Sequence, residues 1–201
     1  MSSRKSVFRF IALFAALLLP TAAFAHVGHG DTAGFMHGFE HPAGGLDHAL
    51  AMIAVGMFAA NLGGRGLWAV PLTFVAVMAA GGALGIAGIA VPFVEIGIAL
   101  SVVVLGLVVA LQWKSPVPLA MLLVGAFAIF HGYAHGAEMP ADTSGAAYAA
   151  GFMLATALLH VAGIALGLGI AKNGNAYWAR TAQFGGAAIL LAGVAILAGM
   201  I

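Results

Sequence analysis

Two short runs in this chain place imidazoles and carboxylates at spacings that could hold a metal ion. The first is His41-Pro42-Ala43-Gly44-Gly45-Leu46-Asp47-His48. Read as a helix opened by Pro42, it sets His41 and His48 near one face, with Asp47 about 100° away. The second is Phe130-His131-Gly132-Tyr133-Ala134-His135-Gly136-Ala137-Glu138, where steps of four and three put His131, His135 and Glu138 on one helical stripe. Imidazole nitrogen and carboxylate oxygen suit Ni, Co, Zn or Cu. His160 stands alone further on, and His26, His29 and His37 precede the first run. The chain has no cysteine, so thiolate sites, disulfides and iron–sulfur clusters are excluded.

The elements that must position these groups are apolar helices. Of 201 residues 63% are hydrophobic and 6% charged, against roughly 25% charged in an ordinary soluble domain. The 7 Lys+Arg and 6 Asp+Glu nearly cancel, which gives no basis for a nucleic-acid partner. The first 25 residues read as a cleaved secretory signal peptide: a basic head (Arg4, Lys5, Arg9), an apolar core from Phe10 to Leu19, and the small-x-small site Ala23-Phe24-Ala25. Residues 26–44 then read as a histidine-rich, non-helical periplasmic leader, and 45–201 as the membrane domain. Six apolar stretches in that domain approach the roughly 20 residues a span needs: Gly45 to Leu62, Leu67 to Ala87, Phe93 to Gln112, Val117 to Ala137, Ala146 to Ala171 and Trp178 to Ile201. The expected fold is therefore all-α, a polytopic bundle of six transmembrane helices.

A cleaved signal puts the mature N-terminus outside, and six spans return the C-terminus to the same side. The charges agree with that orientation. Arg65, Lys114, Lys172 and Arg180 all fall in loops expected to be cytoplasmic, as the positive-inside rule requires. Asp31, Glu40, Glu138 and Asp142 fall on the other side, with Asp47 and Glu95 at outer helix ends, so the outer mouth is negative and histidine-rich. His48, His135, His131 and His160 form a descending series, which suits an ion handed inward through sites weak enough to release it.

A single histidine in a membrane helix often serves as a hydrogen-bonding strut between helices, and His160 alone could be one. Two clusters of titratable groups at matching depth are too costly in lipid to be explained that way. Met52 and Met121 could add soft contacts, although isolated methionines in apolar helices usually pack.

The His41-x5-Asp47-His48 run, together with Phe130-His131-Gly-x-Ala-His135-Gly-x-Glu138, resembles the HupE/UreJ family of bacterial secondary nickel and cobalt permeases. The likeness spans the mature chain, and both motifs match without a gap. The resemblance implies uptake of Ni2+, or in some members Co2+, across the inner membrane, often in support of hydrogenase or urease maturation. The metal is then cargo and not a prosthetic group, and the chain is not an enzyme. It has no G-x-x-x-x-G-K-[ST] loop, so entry runs down an electrochemical gradient. The main rival is a membrane-embedded zinc hydrolase using three His and a carboxylate. A b-type haem protein pairing His48 with His135 is a third possibility, to which Glu138 would be a poor neighbour.

Overall fold

The computed structural model describes residues 31–140, 143–171 and 176–200. The expected signal peptide, His26, His29, Asp142 and Lys172 lie outside the described residues. Among the described residues seven helices follow one another: α1 (Asp31–Gly44), α2 (Leu46–Leu62), α3 (Gly66–Ile86), α4 (Val94–Ala110), α5 (Val117–Ala137), α6 (Gly145–Ala171) and α7 (Ala176–Leu197). No strand occurs among the described residues. The helices α3, α5, α6 and α7 are long and apolar enough to cross a membrane. A further crossing results if α1 and α2 together count as one span bent by 73°, and α4 is an apolar helix just short of that length.

Residues 31–44 correct the expectation of a non-helical leader. Glycines and a proline make this stretch a poor helix on its own, but its packing on α6 overrides propensity. A Cβ on Gly38 would lie 2.0 Å from the Tyr148 carbonyl oxygen, and one on Gly151 2.0 Å from that of Phe35, so the two backbones touch where neither side has a side chain. Phe35 and Phe39, one turn apart, stack with ring centroids 6.1 Å apart. Pro42 lies inside the last turn of this helix and does not open the next one. The second helix is opened by Gly45, whose extended backbone (φ −97°, ψ 119°) turns the chain.

The centre of the bundle is α2, where Ala51, Met52, Ala54, Val55, Phe58 and Ala59 are inaccessible. It packs on α6, α4 and α3, while α3 pairs with α5 and α4 with α7. Lipid tails are as apolar as leucine, so close approach must hold such helices together. Glycine supplies it: Gly81, Gly85, Gly132 and Gly136 put α3 and α5 in backbone contact, and Gly106, Gly186 and Gly193 do so for α4 and α7. Leu72, Leu122, Phe184 and Leu191 point outward, giving the apolar surface a bilayer requires.

The contact registers also give direction. On α3 and α5, Thr73 lies near Gly125, Met78 near Gly132 and Gly82 near Gly136, so the two helices run parallel. On α4 and α7, Ala110 lies near Gly186 and Val103 near Gly193, so they run antiparallel. The C-terminal ends of α3 and α5 therefore share the face that holds the N-terminal end of α2. At the opposite face the Lys114 ammonium donates to the Asn61 carbonyl oxygen. There Asn61 Nδ2 also donates to the Trp113 carbonyl at 3.0 Å, and Phe58 stacks on Trp113 at 6.2 Å. Arg65, Lys114 and Arg180 thus lie at the end away from the histidine motifs, the separation of charge that the sequence implied.

Candidate functional site

The two motifs meet at one end of the bundle. His41, at the end of α1, donates from Nε2 to the carboxylate of Glu138, at the end of α5, over 3.2 Å. The His135 ring lies 4.7 Å from that of His41 and 4.4 Å from that of His48. The His48 ring in turn lies 4.6 Å from that of His131. The convergence of His41 and His48 comes from the bend between α1 and α2, and not from helical register within one continuous helix as the spacing suggested. With α1 turned away from α2, His41 reaches over the mouth while His48 points inward from the first turn of α2.

The Asp47 carboxylate orients His48. Its Oδ1 accepts from the His48 backbone N–H at 2.7 Å and lies 2.9 Å from His48 Nδ1. An ionised carboxylate can only accept, so Nδ1 carries the proton and Nε2 keeps its lone pair. That Nε2 is buried with no hydrogen-bond partner. Gly45 makes the arrangement possible, because a Cβ there would come within 2.8 Å of the same Oδ1. Gly45→Ala is expected to push the carboxylate aside, a cheap local shift for stability. It should nevertheless lower metal uptake about tenfold, in line with the cost of losing an outer-shell partner. Uptake normalised to membrane level is the check.

Accessibility falls steadily inward. The Glu138 and His41 side chains are 57% and 40% exposed, those of Asp47 and His48 25% and 11%, and His135, His160 and His131 are essentially buried. Phe74 of α3 is inaccessible and touches both deeper histidines, with its ring 5.6 Å from His131 and 5.2 Å from His160. Phe152 of α6 packs 3.9 Å from His135. His37 lies exposed on α1 one turn before His41, and no hydrogen bond or ring contact joins it to the cluster among the described residues. Glu95 is exposed in the first turn of α4, in keeping with a carboxylate facing water.

His160 departs from the strut reading. Neither of its ring nitrogens has a hydrogen-bond partner, nor does either nitrogen of His135 or Nδ1 of His131. Buried polar atoms are nearly always paired, so a run of unpaired imidazole nitrogens calls for a physical reason. Among the described residues no three His, Asp or Glu side chains are gathered closely enough to hold one ion. The arrangement is instead a chain of neighbouring lone-pair donors. Three further residues had no signal in the motifs: Phe74, Ser101, whose hydroxyl lies 2.8 Å from His131 Nε2, and Tyr148, whose buried hydroxyl lacks a partner beside His41.

Long apolar helices enclosing a column of histidines that opens at one face define a multi-pass helical membrane protein with a polar core. The sequence model of the HupE / UreJ protein family matches residues 14–196. The chain is also 51% identical over 187 residues to "Protein HupE" of Rhizobium leguminosarum bv. viciae, covering 92% of this chain and 95% of that protein. This chain belongs to the HupE/UreJ family. No solved structure matches it.

Proposed function

We propose that the protein is a secondary permease that carries a divalent transition-metal ion, Ni2+ foremost and Co2+ as the second candidate, inward across the bacterial inner membrane. The observation that carries this reading is the set of buried imidazole nitrogens on His48, His131, His135 and His160 that lack hydrogen-bond partners, beneath an exposed pair formed by His41 and Glu138. Lone pairs of that kind are satisfied by a cation. Membership of the HupE/UreJ family supports the same reading.

In the proposed sequence, His26, His29 and His37 raise the local metal concentration at the outer face. Glu138 and His41 then begin to strip water from the ion. His48, held by Asp47, and His135 take it over, His131 follows, and passage beyond Phe74 brings it to His160. Each station offers few ligands, which favours release over retention. Six spans with both mature termini outside, following a cleaved signal, would set the His41–Glu138 mouth toward the periplasm and Arg65 and Lys114 toward the cytoplasm. A divalent cation moving inward gains roughly 4.6 kcal/mol per 100 mV, at about 2.3 per charge. That corresponds to about thousandfold accumulation, enough for a trace nutrient destined for hydrogenase or urease maturation.

The test is uptake of radioactive nickel at trace concentration by cells expressing the chain, with Co2+, Zn2+ or Mg2+ in excess as competitors. Uptake is expected to be blocked by Co2+ and hardly touched by Mg2+, which prefers oxygen ligands and keeps its water. Equal inhibition by Mg2+ would contradict transport through imidazoles.

A further inference from the structure

Ser101 of α4 is fully buried, in a helix with no other polar side chain beyond Glu95. Its hydroxyl has two close neighbours: the Ile98 carbonyl oxygen at 2.6 Å and His131 Nε2 at 2.8 Å. A hydroxyl has one proton to give. A carbonyl oxygen can only accept, and two oxygens 2.6 Å apart with no proton between them would repel. The Ser101 proton is therefore donated to Ile98, which leaves the hydroxyl as an acceptor toward the imidazole. His131 Nε2 must carry the ring proton and donate it. In the neutral ring the lone pair then resides on Nδ1, the nitrogen that is buried without a partner.

We propose that Ser101 is a positioning residue that locks His131 in its Nε2–H tautomer and keeps Nδ1 free as a donor to a passing divalent cation. The Asp47–His48 pair does the same with the opposite polarity: Asp47 holds the proton on Nδ1 of His48 and frees Nε2. Two rings with centroids 4.6 Å apart thus each offer one fixed lone pair, one set by a carboxylate from α2 and the other by a hydroxyl from α4. Gly97, one turn above Ser101, accommodates the Phe130 ring, since a Cβ there would lie 2.5 Å from it. That contact fixes the distance between α4 and the residue next to His131. The tautomer follows from hydrogen-bond chemistry alone, whereas its use in metal handling rests on the proposed transport.

Two measurements separate these parts. The first is the side-chain nitrogen-15 spectrum of histidine-labelled wild type in lipid nanodiscs, with the His131 signals assigned by their loss in His131→Gln. A protonated Nε2 and an unprotonated Nδ1 are expected, and in Ser101→Ala the two forms should mix. A wild type with its proton on Nδ1 would overturn the proposal. The second is nickel uptake by Ser101→Ala and Ser101→Thr at matched membrane levels. Loss of an outer-shell partner costs about 10–100-fold, so Ser101→Ala should fall by that factor, and Ser101→Thr, which keeps the hydroxyl, should stay within about threefold of wild type. Were Ser101 only a packing residue, alanine would be tolerated and the larger threonine would be the harmful change, and that order of effects would refute the positioning role. A wild type that moves no nickel would overturn the transport reading and with it the metal-handling half of the proposal, while the ring spectrum still decides the tautomer.

Discussion

Nickel uptake is expected to fall roughly 100-fold or more when His135 is replaced by alanine, since even outer-shell partners of metal ligands are worth about 10–100-fold. His135 is the junction of the cluster: its ring contacts those of His41 and His48, and both of its nitrogens are buried and unpaired. Removing it breaks the run of ring contacts that joins the exposed His41 to His48 and, through it, to His131. His37→Ala should change uptake by no more than about twofold under saturating metal, because His37 is exposed and outside the ring contacts of the cluster. The two variants, compared with protein levels matched, separate loss of a station from loss of an imidazole in general. Direct nickel binding to purified protein should weaken in the same order.

The second large effect concerns stability. Gly132 stands between His131 and the Tyr133 backbone, and a Cβ on it would lie 1.9 Å from the Met78 carbonyl oxygen, 2.7 Å from its carbon and 2.9 Å from the Gly82 nitrogen. These are backbone atoms of α3 and cannot swing away. Gly132→Val must therefore force α3 and α5 apart, at a cost of at least about 3 kcal/mol, the upper end of ordinary overpacking. Folded yield in detergent and the temperature of unfolding should both drop, and uptake should be lost with them. Gly125→Ala, one α5 position where a Cβ would meet only the Thr73 and Val77 methyl groups at 3.5 and 3.6 Å, should be tolerated. An effect of Gly132→Val on uptake with unchanged stability would show that the α3–α5 contact does something other than hold the helices together.

Much of this architecture is legible in the sequence because lipid imposes a simple rule: backbone groups must be satisfied within the helix, and runs of apolar residues mark where that happens. The expected stretch Val117 to Ala137 coincides with α5, and the other five helices end within a few residues of the expected limits. The first helix escaped that rule. Gly34, Gly38 and Pro42 argue against a helix locally, and the contact with Tyr148 and Gly151 that stabilises it joins residues more than a hundred positions apart. The stacked pair Phe35 and Phe39, four residues apart, was the one local sign of it.

Of the candidate site, the histidines and carboxylates were legible in the sequence, whereas Tyr148 was not. His41, Asp47, His48, His131, His135 and Glu138 do come together, although the bend at Gly45 and not a shared helical face joins His41 to His48. Ser101 left a faint trace, as a hydroxyl in an otherwise apolar run. Phe74 left none: an aromatic residue in a membrane helix looks the same in sequence whether it fills space or touches two histidines. Its contact with both His131 and His160 depends on how α3 sits against α5 and α6, which only the packing determines.

Under the proposed function this chain by itself moves a divalent transition-metal ion along its histidines. The most direct measurement is radioactive nickel entry into liposomes containing the purified full-length protein, with a potential imposed negative inside and wild type compared with His135→Ala. Potential-driven accumulation by the wild type, competed by Co2+ and absent in the variant, is the predicted result; wild-type protein that is folded and correctly inserted yet passes neither nickel nor cobalt would contradict the proposed transport.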